Sequence, residues 1–188
     1  LAGVYGVAAN LQKDLAGVAV ESASMISESY DKIYQAVSHT SAVVGVLQDD
    51  VVAIMKAFSA NGLVMDMSTQ QLEAMTTAAT TMHKVFGFTA QESADLTRDF
   101  IKNGIAADKL HDIFVENYEI GRKYNLSLTE QKTVLAQVGQ AMTRTGMSGV
   151  SNAHLMIASY SKLAGIYKEM NISAAGTQSW FDSVKNMG

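Results

Sequence analysis

The stretch Val85-Phe86-Gly87-Phe88-Thr89-Ala90-Gln91-Glu92 closes one helix and opens the next, and no other feature restricts the fold as much. Gly87 suits the left-handed position that ends helices, because a residue without Cβ enters it without a clash. Thr89 and Glu92 have the spacing of a capping box. The Thr hydroxyl accepts the N–H of residue 92, and the Glu carboxylate accepts the N–H of residue 89. The same punctuation returns at Tyr124-Asn125-Leu126-Ser127 with Glu130, at Gly146-Met147-Ser148 and at Asn171-Ile172-Ser173. A looser form stands at Asp66-Met67-Ser68. A chain cut in this way reads as all-α.

Composition points the same way. The 188 residues include no Pro, and an all-β or loop-rich chain of this length normally carries several. Apolar residues make up 48% and charged ones 17%, enough to bury a core and too apolar for disorder. Without Cys there are no disulfides, thiolate metal sites or cysteine nucleophiles. A net charge of −4 without a Lys/Arg cluster argues against direct nucleic-acid binding. The longest apolar run, Leu1 to Ala9, is too short for a transmembrane segment and has no basic stretch before it. A start at Leu1 rather than Met suggests a segment of a longer chain.

An apolar stripe runs from Leu11 through Leu15, Val18, Ser22, Ile26, Tyr30, Ile33, Val37, Thr40, Val44, Leu47, Val51 and Ile54 to Phe58. From Ile26 the heptad is strict. This predicts one N-terminal helix of about 48 residues, roughly 72 Å long at 1.5 Å per residue. Three readings stand: a coiled coil through which the chain self-associates, a long helix lying on a bundle, or a break near Ser38 to Ser41. Residues 1–60 are accordingly read as one long helix, and 61–188 as a helical bundle or helical-repeat domain.

In the second part, shorter stripes follow one another. Leu72, Met75, Ala79, Met82 and Phe86 line the first helix; Leu96, Phe100 and Ile101 the second. Leu110, Ile113, Phe114, Ile120 and Tyr124 line the third; Val134, Leu135, Val138 and Met142 the fourth. Met156, Tyr160, Leu163, Tyr167 and Met170 line the fifth, and Trp180, Phe181 and Val184 belong to a last one. Short amphipathic helices bury their faces on one another. Ser127 follows Ser68 by 59 residues and Ser148 follows Thr89 by the same step, which sets Gly146 on Gly87 and Leu155 on Leu96. Either the unit is duplicated or helix punctuation recurs by itself. The 11 methionines, scattered along the stripes, read as core filling.

No residue is assigned to catalysis, cofactor binding or metal binding, and the chain is not expected to be an enzyme. His39, His83, His111 and His154 lack a His, Asp or Glu partner at metal-motif spacing and read as surface or helix-end residues. Gly146-Met147-Ser148-Gly149 lacks the glycine two places after the Ser that a nucleophile elbow needs. Glu92-Ser93 is the pair some peptidoglycan transglycosylases use, but the companion Gly/Gln-rich segment is missing and the capping box already accounts for Glu92.

Phe86-Gly87-Phe88-Thr89-Ala90-Gln91-Glu92-Ser93-Ala94, with Asn103-Gly104 downstream, resembles the helical repeats of bacteriophage tail tape measure proteins. So does Ala164-Gly165-Ile166-Tyr167-Lys168-Glu169-Met170-Asn171-Ile172-Ser173. The resemblance covers most of residues 60–188. It implies a structural virion protein in the tail lumen that sets tail length, contacts other tail proteins and is released during genome ejection. The alternative is a helical protein-interaction or regulatory domain of a larger enzyme or effector, otherwise cytoplasmic.

Replacing Thr89 or Ser127 by Ala should destabilise the chain by about 1 kcal/mol each, because each hydroxyl satisfies one helix-start N–H. Denaturant melts of the two variants measure this, and unchanged midpoints would show that neither residue begins a helix.

Overall fold

The computed structural model describes residues 28–63 and 67–170. They form seven α-helices: α1 Glu28–Val44, α2 Gln48–Ala60, α3 Thr69–Phe86, α4 Ala90–Lys102, α5 Leu110–Lys123, α6 Leu128–Thr145 and α7 Val150–Glu169. A 3-10 turn, Ala107–Lys109, leads into α5, and no strand occurs among these residues. The stripe before residue 28, the start at Asn171-Ile172-Ser173 and the helix around Trp180 lie outside the described residues.

The single helix predicted for Leu11 to Phe58 is interrupted within the described residues 28–58. The chain turns at Gly45-Val46-Leu47, and α1 and α2 pack on each other. Gly45 takes a φ of 70°, Gly45 and Val46 both donate to the Ser41 carbonyl, and the Ser41 hydroxyl donates to the Val46 carbonyl. A three-residue turn is one of the steps a heptad contains, so the apolar phase passes through it unbroken. Ile33, Val37, Thr40, Val51, Ile54 and Phe58 are buried as the stripe requires, but Leu47 stands at the corner, 73% exposed. Val44 and Leu47 therefore stand at a corner between two helices rather than along one continuous helix. The break is also later than the Ser38 to Ser41 alternative.

α3 is the hub, packing against α1, α2, α4, α5 and α6. Its buried face, Leu72, Met75, Ala79, Met82 and Phe86, is the predicted stripe. Around it the helices fall into two successive units. In the first, α2, α3 and α4 pack mutually; in the second, α5, α6 and α7 do so. α3 and α6 are each 18 residues long, each begins with a capping box, and each ends at a left-handed glycine, Gly87 or Gly146. The 59-residue step thus holds across the central helix of each unit. It slips by one afterwards: α4 is capped by Thr89, whereas α7 starts from Gly149 rather than the expected Ser148. The Gly149 N–H is held by the Asn103 carbonyl at 2.8 Å, which fixes that start without a side-chain cap. Leu155 is consequently 67% exposed where Leu96 is 7% exposed.

One continuous core runs from Ile33 to Ala164, with residues 28–60 packed into it along with the rest. Met55, Met75, Met82 and Met142 are fully buried in it, as core filling requires. α7 departs from its predicted stripe. Its buried residues are Ala153, Ile157, Ser161, Ala164 and Gly165, while Met170 is exposed. Small residues let α7 approach closely: a Cβ on Gly165 would stand 3.0 Å from Tyr124 Cβ. The larger Met156 and Tyr160 are only partly buried, packed against the core's edge.

The helix ends are cross-tied. Asn61, the stop of α2, donates to Asp95 at 3.1 Å and accepts from Arg98, which also pairs with Asp95 and Asp99. The Thr40 and Thr77 hydroxyls share a 3.1 Å hydrogen bond between α1 and α3. Asn117, fully buried on α5, donates to the Gln131 carbonyl, and the Gln131 side chain donates to Leu126.

Gly121 lies against that Gln131 side chain, and an added Cβ would sit 2.4 Å from its Cδ. Gly121→Ala should therefore cost about 1–3 kcal/mol despite the better helix propensity of Ala. A thermal melt measures it; an unchanged or raised midpoint would mean α5 and α6 are further apart.

Candidate functional site

An open groove of about 830 Å³ lies where the end of α3, one side of α5 and the first residue of α6 meet. Thr81, Val85 and Phe86 come from α3; Phe114, Val115, Tyr118, Glu119 and Arg122 from α5; Leu128 from α6. The spacings explain the convergence. Thr81 and Val85 are one turn apart, and so are Phe114 and Tyr118, Val115 and Glu119, and Tyr118 and Arg122. Phe86 and Phe114 are buried and make the floor. Val85, Val115, Tyr118 and Leu128, 37–45% exposed, make apolar walls. Arg122 stacks its guanidinium 5.9 Å from the Tyr118 ring centre, and with Glu119 it supplies the charged rim. Single exposed apolar residues are ordinary, but a contiguous set in a concave groove marks a surface built to be covered.

α5 buries Leu110, Ile113, Phe114, Asn117 and Gly121. Val115 and Tyr118 fall outside that face, so they are surplus to core packing, and that surplus is the sequence signal for the groove. It was hidden because Tyr and Val one turn apart look like ordinary helix composition. Leu128 gives no warning, since it directly follows a cap residue.

Beside the groove stands a clasp built twice. Glu130 of the Ser127 capping box accepts the Ser127 N–H and pairs with Lys168 of α7 at 3.1 Å, while Lys168 also donates to the Asn125 carbonyl at 2.6 Å. In the first unit Glu92 accepts the Thr89 N–H and pairs with Lys132 of α6 at 3.0 Å, while Lys132 also donates to the Gly87 carbonyl at 3.2 Å. Asn125 and Gly87 are the left-handed residues just before each box. The Thr89 N–H and then Lys132 hold the Glu92 carboxyl below the usual carboxylate range. Burial pushes Glu130 up, but the Ser127 contacts and Lys168 outweigh it and leave this carboxyl lowered too. α3 has the same box in neutral form, Ser68 with Gln71, a partner the looser sequence match did not identify.

Among the described residues no three His, Asp or Glu side chains converge as metal ligands do. His39 and His111 are exposed, His83 lies in the last turn of α3, and His154 is partly buried. His83 Nδ1 bonds the Phe88 carbonyl across the α3–α4 turn, and His154 contacts Glu116 of α5. His39 and His111, distant in sequence, border one shallow depression with Glu73 and Asp108. A second depression of about 530 Å³ lies between Met67, Ala74 and Ile105. No helix among the described residues is long and apolar enough to cross a membrane. No family model, curated protein or solved structure matches the chain.

The clasps dictate how acid acts. A carboxyl lowered in the folded state keeps its full contribution to stability above the unfolded value of about 4.3 and loses it as pH falls toward the folded value. Stability should therefore fall below about pH 4.5, and a Glu92→Gln, Glu130→Gln variant should fall less steeply, since Gln retains the box as Gln71 does. Urea midpoints between neutral and acid pH measure this; parallel curves for the two proteins would refute it.

Proposed function

We propose that the chain is a structural module of a virion protein of the tape-measure type, residing in the phage tail lumen, helping to set tail length and released during genome ejection. The supporting observation is the pair of successive three-helix units, each with an 18-residue central helix held between a capping box and a left-handed glycine. Such units add length in steps and need only packing and release. The rod expected from residues 11–58 is not part of this reading. Ile33, Val37, Val51 and Ile54 serve the bundle core, so heptad deletions there would unfold the bundle rather than shorten a rod.

In a phage that uses this chain, in-frame deletion of residues 28–170 should shorten the tail. A unit that stays compact accounts for roughly 40 Å, from the size scaling of globular domains. Opened into continuous helix, the same residues account for roughly 210 Å. Electron microscopy over many particles distinguishes the two, and the continuous core makes the smaller value the expected one. Tails of unchanged length would remove this segment from the ruler.

The groove favours a second reading, a helical interaction or regulatory domain of a larger enzyme or effector. On that reading the deletion abolishes or deregulates the activity of the larger protein and leaves no tail phenotype.

A further inference from the structure

α5 carries two stripes. One, Leu110, Ile113, Phe114, Asn117 and Gly121, faces inward and is buried. The other, Val115, Tyr118 and Arg122 with Glu119 beside them, faces the groove. Its steps of 3 and 4 residues are those of a helix surface that packs on a second helix. Tyr and Arg are among the residues enriched where protein surfaces meet. Yet this stripe stays open among the described residues: Val115 and Tyr118 are 40% and 38% exposed, and Glu119 pairs with no cation. The Arg122 guanidinium meets only the Tyr118 ring there.

The charges say what fits. Glu119 and Arg122 stand three residues apart on one face and are opposite in sign. A surface with both signs in that arrangement is complementary to itself turned through a two-fold axis. When two copies of α5 lie antiparallel, the rotation that sets Glu119 on Arg122 of the other copy also sets Arg122 on the other Glu119. The same rotation carries Val115 to the turn at Leu126 that leads into Leu128. A parallel pairing would set like charge on like. In the antiparallel one, each α5 stripe enters the other copy's groove, and both sets of apolar walls are covered at once.

We propose that the groove between α3, α5 and α6 is a homodimer interface, in which the α5 helices of two copies pair antiparallel over Val115, Tyr118 and Leu128, with Glu119 of each on Arg122 of the other. The nine residues that line the groove are few against the roughly 20–30 a side of a standard interface, so the dimer is weak and concentration-dependent. This inference stands apart from the virion reading, since two copies can pair whichever protein carries the module.

Sedimentation of the whole chain from about 1 μM to about 1 mM should show a monomer–dimer equilibrium that weakens as salt is raised. Val115→Asp should leave a monomer throughout while circular dichroism remains helical. Glu119→Arg and Arg122→Glu each place like charges in both contacts, and each should also be monomeric. Their one-to-one mixture places opposite charges in both contacts and should dimerise although neither variant does so alone. Mixing would not rescue a loss that arises within one chain. Glu119 and Arg122 are exposed, so these two variants keep the test open should Val115→Asp fail to fold. An unaltered chain that is monomeric at every concentration, a dimer indifferent to all three substitutions, or a mixture that stays monomeric would overturn the proposal. Growth beyond the dimer would mean a head-to-tail contact and would overturn it as well.

Discussion

Every helix start exposes N–H groups that the helix itself cannot satisfy, and this chain meets the requirement with one device used repeatedly. At Thr89 and Ser127 a left-handed residue turns the chain, a buried apolar residue follows, and the hydroxyl residue with Glu three places on closes the new first turn; Ser68 with Gln71 closes the first turn of α3 in the same way. In two of the three boxes a lysine from a later helix then binds both the capping carboxylate and the carbonyl of the left-handed residue. Each contribution is modest: about 1 kcal/mol for a cap and less for an exposed ion pair. Burying a side chain such as Phe58, Phe100 or Phe114 stabilises by about 1.5–3 kcal/mol, so apolar burial dominates stability. The clasps choose geometry. They tie α6 to the start of α4 and the end of α7 to the start of α6, which sets the end of α7 beside the groove residue Leu128.

The device was legible at Thr89–Glu92 and Ser127–Glu130 because a cap is a local interaction with fixed spacing. The same locality explains the failures. A heptad records only that apolar residues recur, and a three-residue turn at Gly45 preserves the recurrence, so the α1–α2 corner looked like continuous helix. Gly45 was the sole local sign, and a glycine inside a helical pattern is cheap enough to be tolerated there. On α7 the sequence rule that large apolar residues face the core chose Met156 and Tyr160. The bundle instead presses Ala153, Ser161, Ala164 and Gly165 against its neighbours, because closeness there is worth more than side-chain volume. Nothing local distinguishes those cases. The contact of Gly165 with Tyr124 joins residues 41 apart.

The core also contains hydroxyls that no partner accepts: Thr76 and Thr80 on α3, Ser93 and Thr97 on α4. Leaving a buried donor unsatisfied costs about 1–3 kcal/mol. A helical Thr can avoid that cost by turning its hydroxyl onto the carbonyl four residues back, as Thr81, Thr133, Thr143 and Thr145 do. The same route is open to Thr76, Thr80 and Thr97 through one χ1 rotation, which the two accessible Thr rotamers in a helix permit. Small hydroxyl residues thus allow α3 and α4 to lie close together without committing the helix interface to one hydrogen-bond pattern. A hub helix that touches five others gains from this, because its side chains accommodate several neighbours.

The groove is a question of surplus. Phe86 and Phe114 already close the core at its floor, whereas Val85, Val115, Tyr118 and Leu128 stay 37–45% exposed and lie outside the buried core. Fully burying a side chain such as Val or Leu gains about 1.5–3 kcal/mol, and these walls, already part-covered, have only the remaining fraction still to gain. The core is complete without that gain, so covering or uncovering the walls leaves the packing of Phe86 and Phe114 beneath them in place.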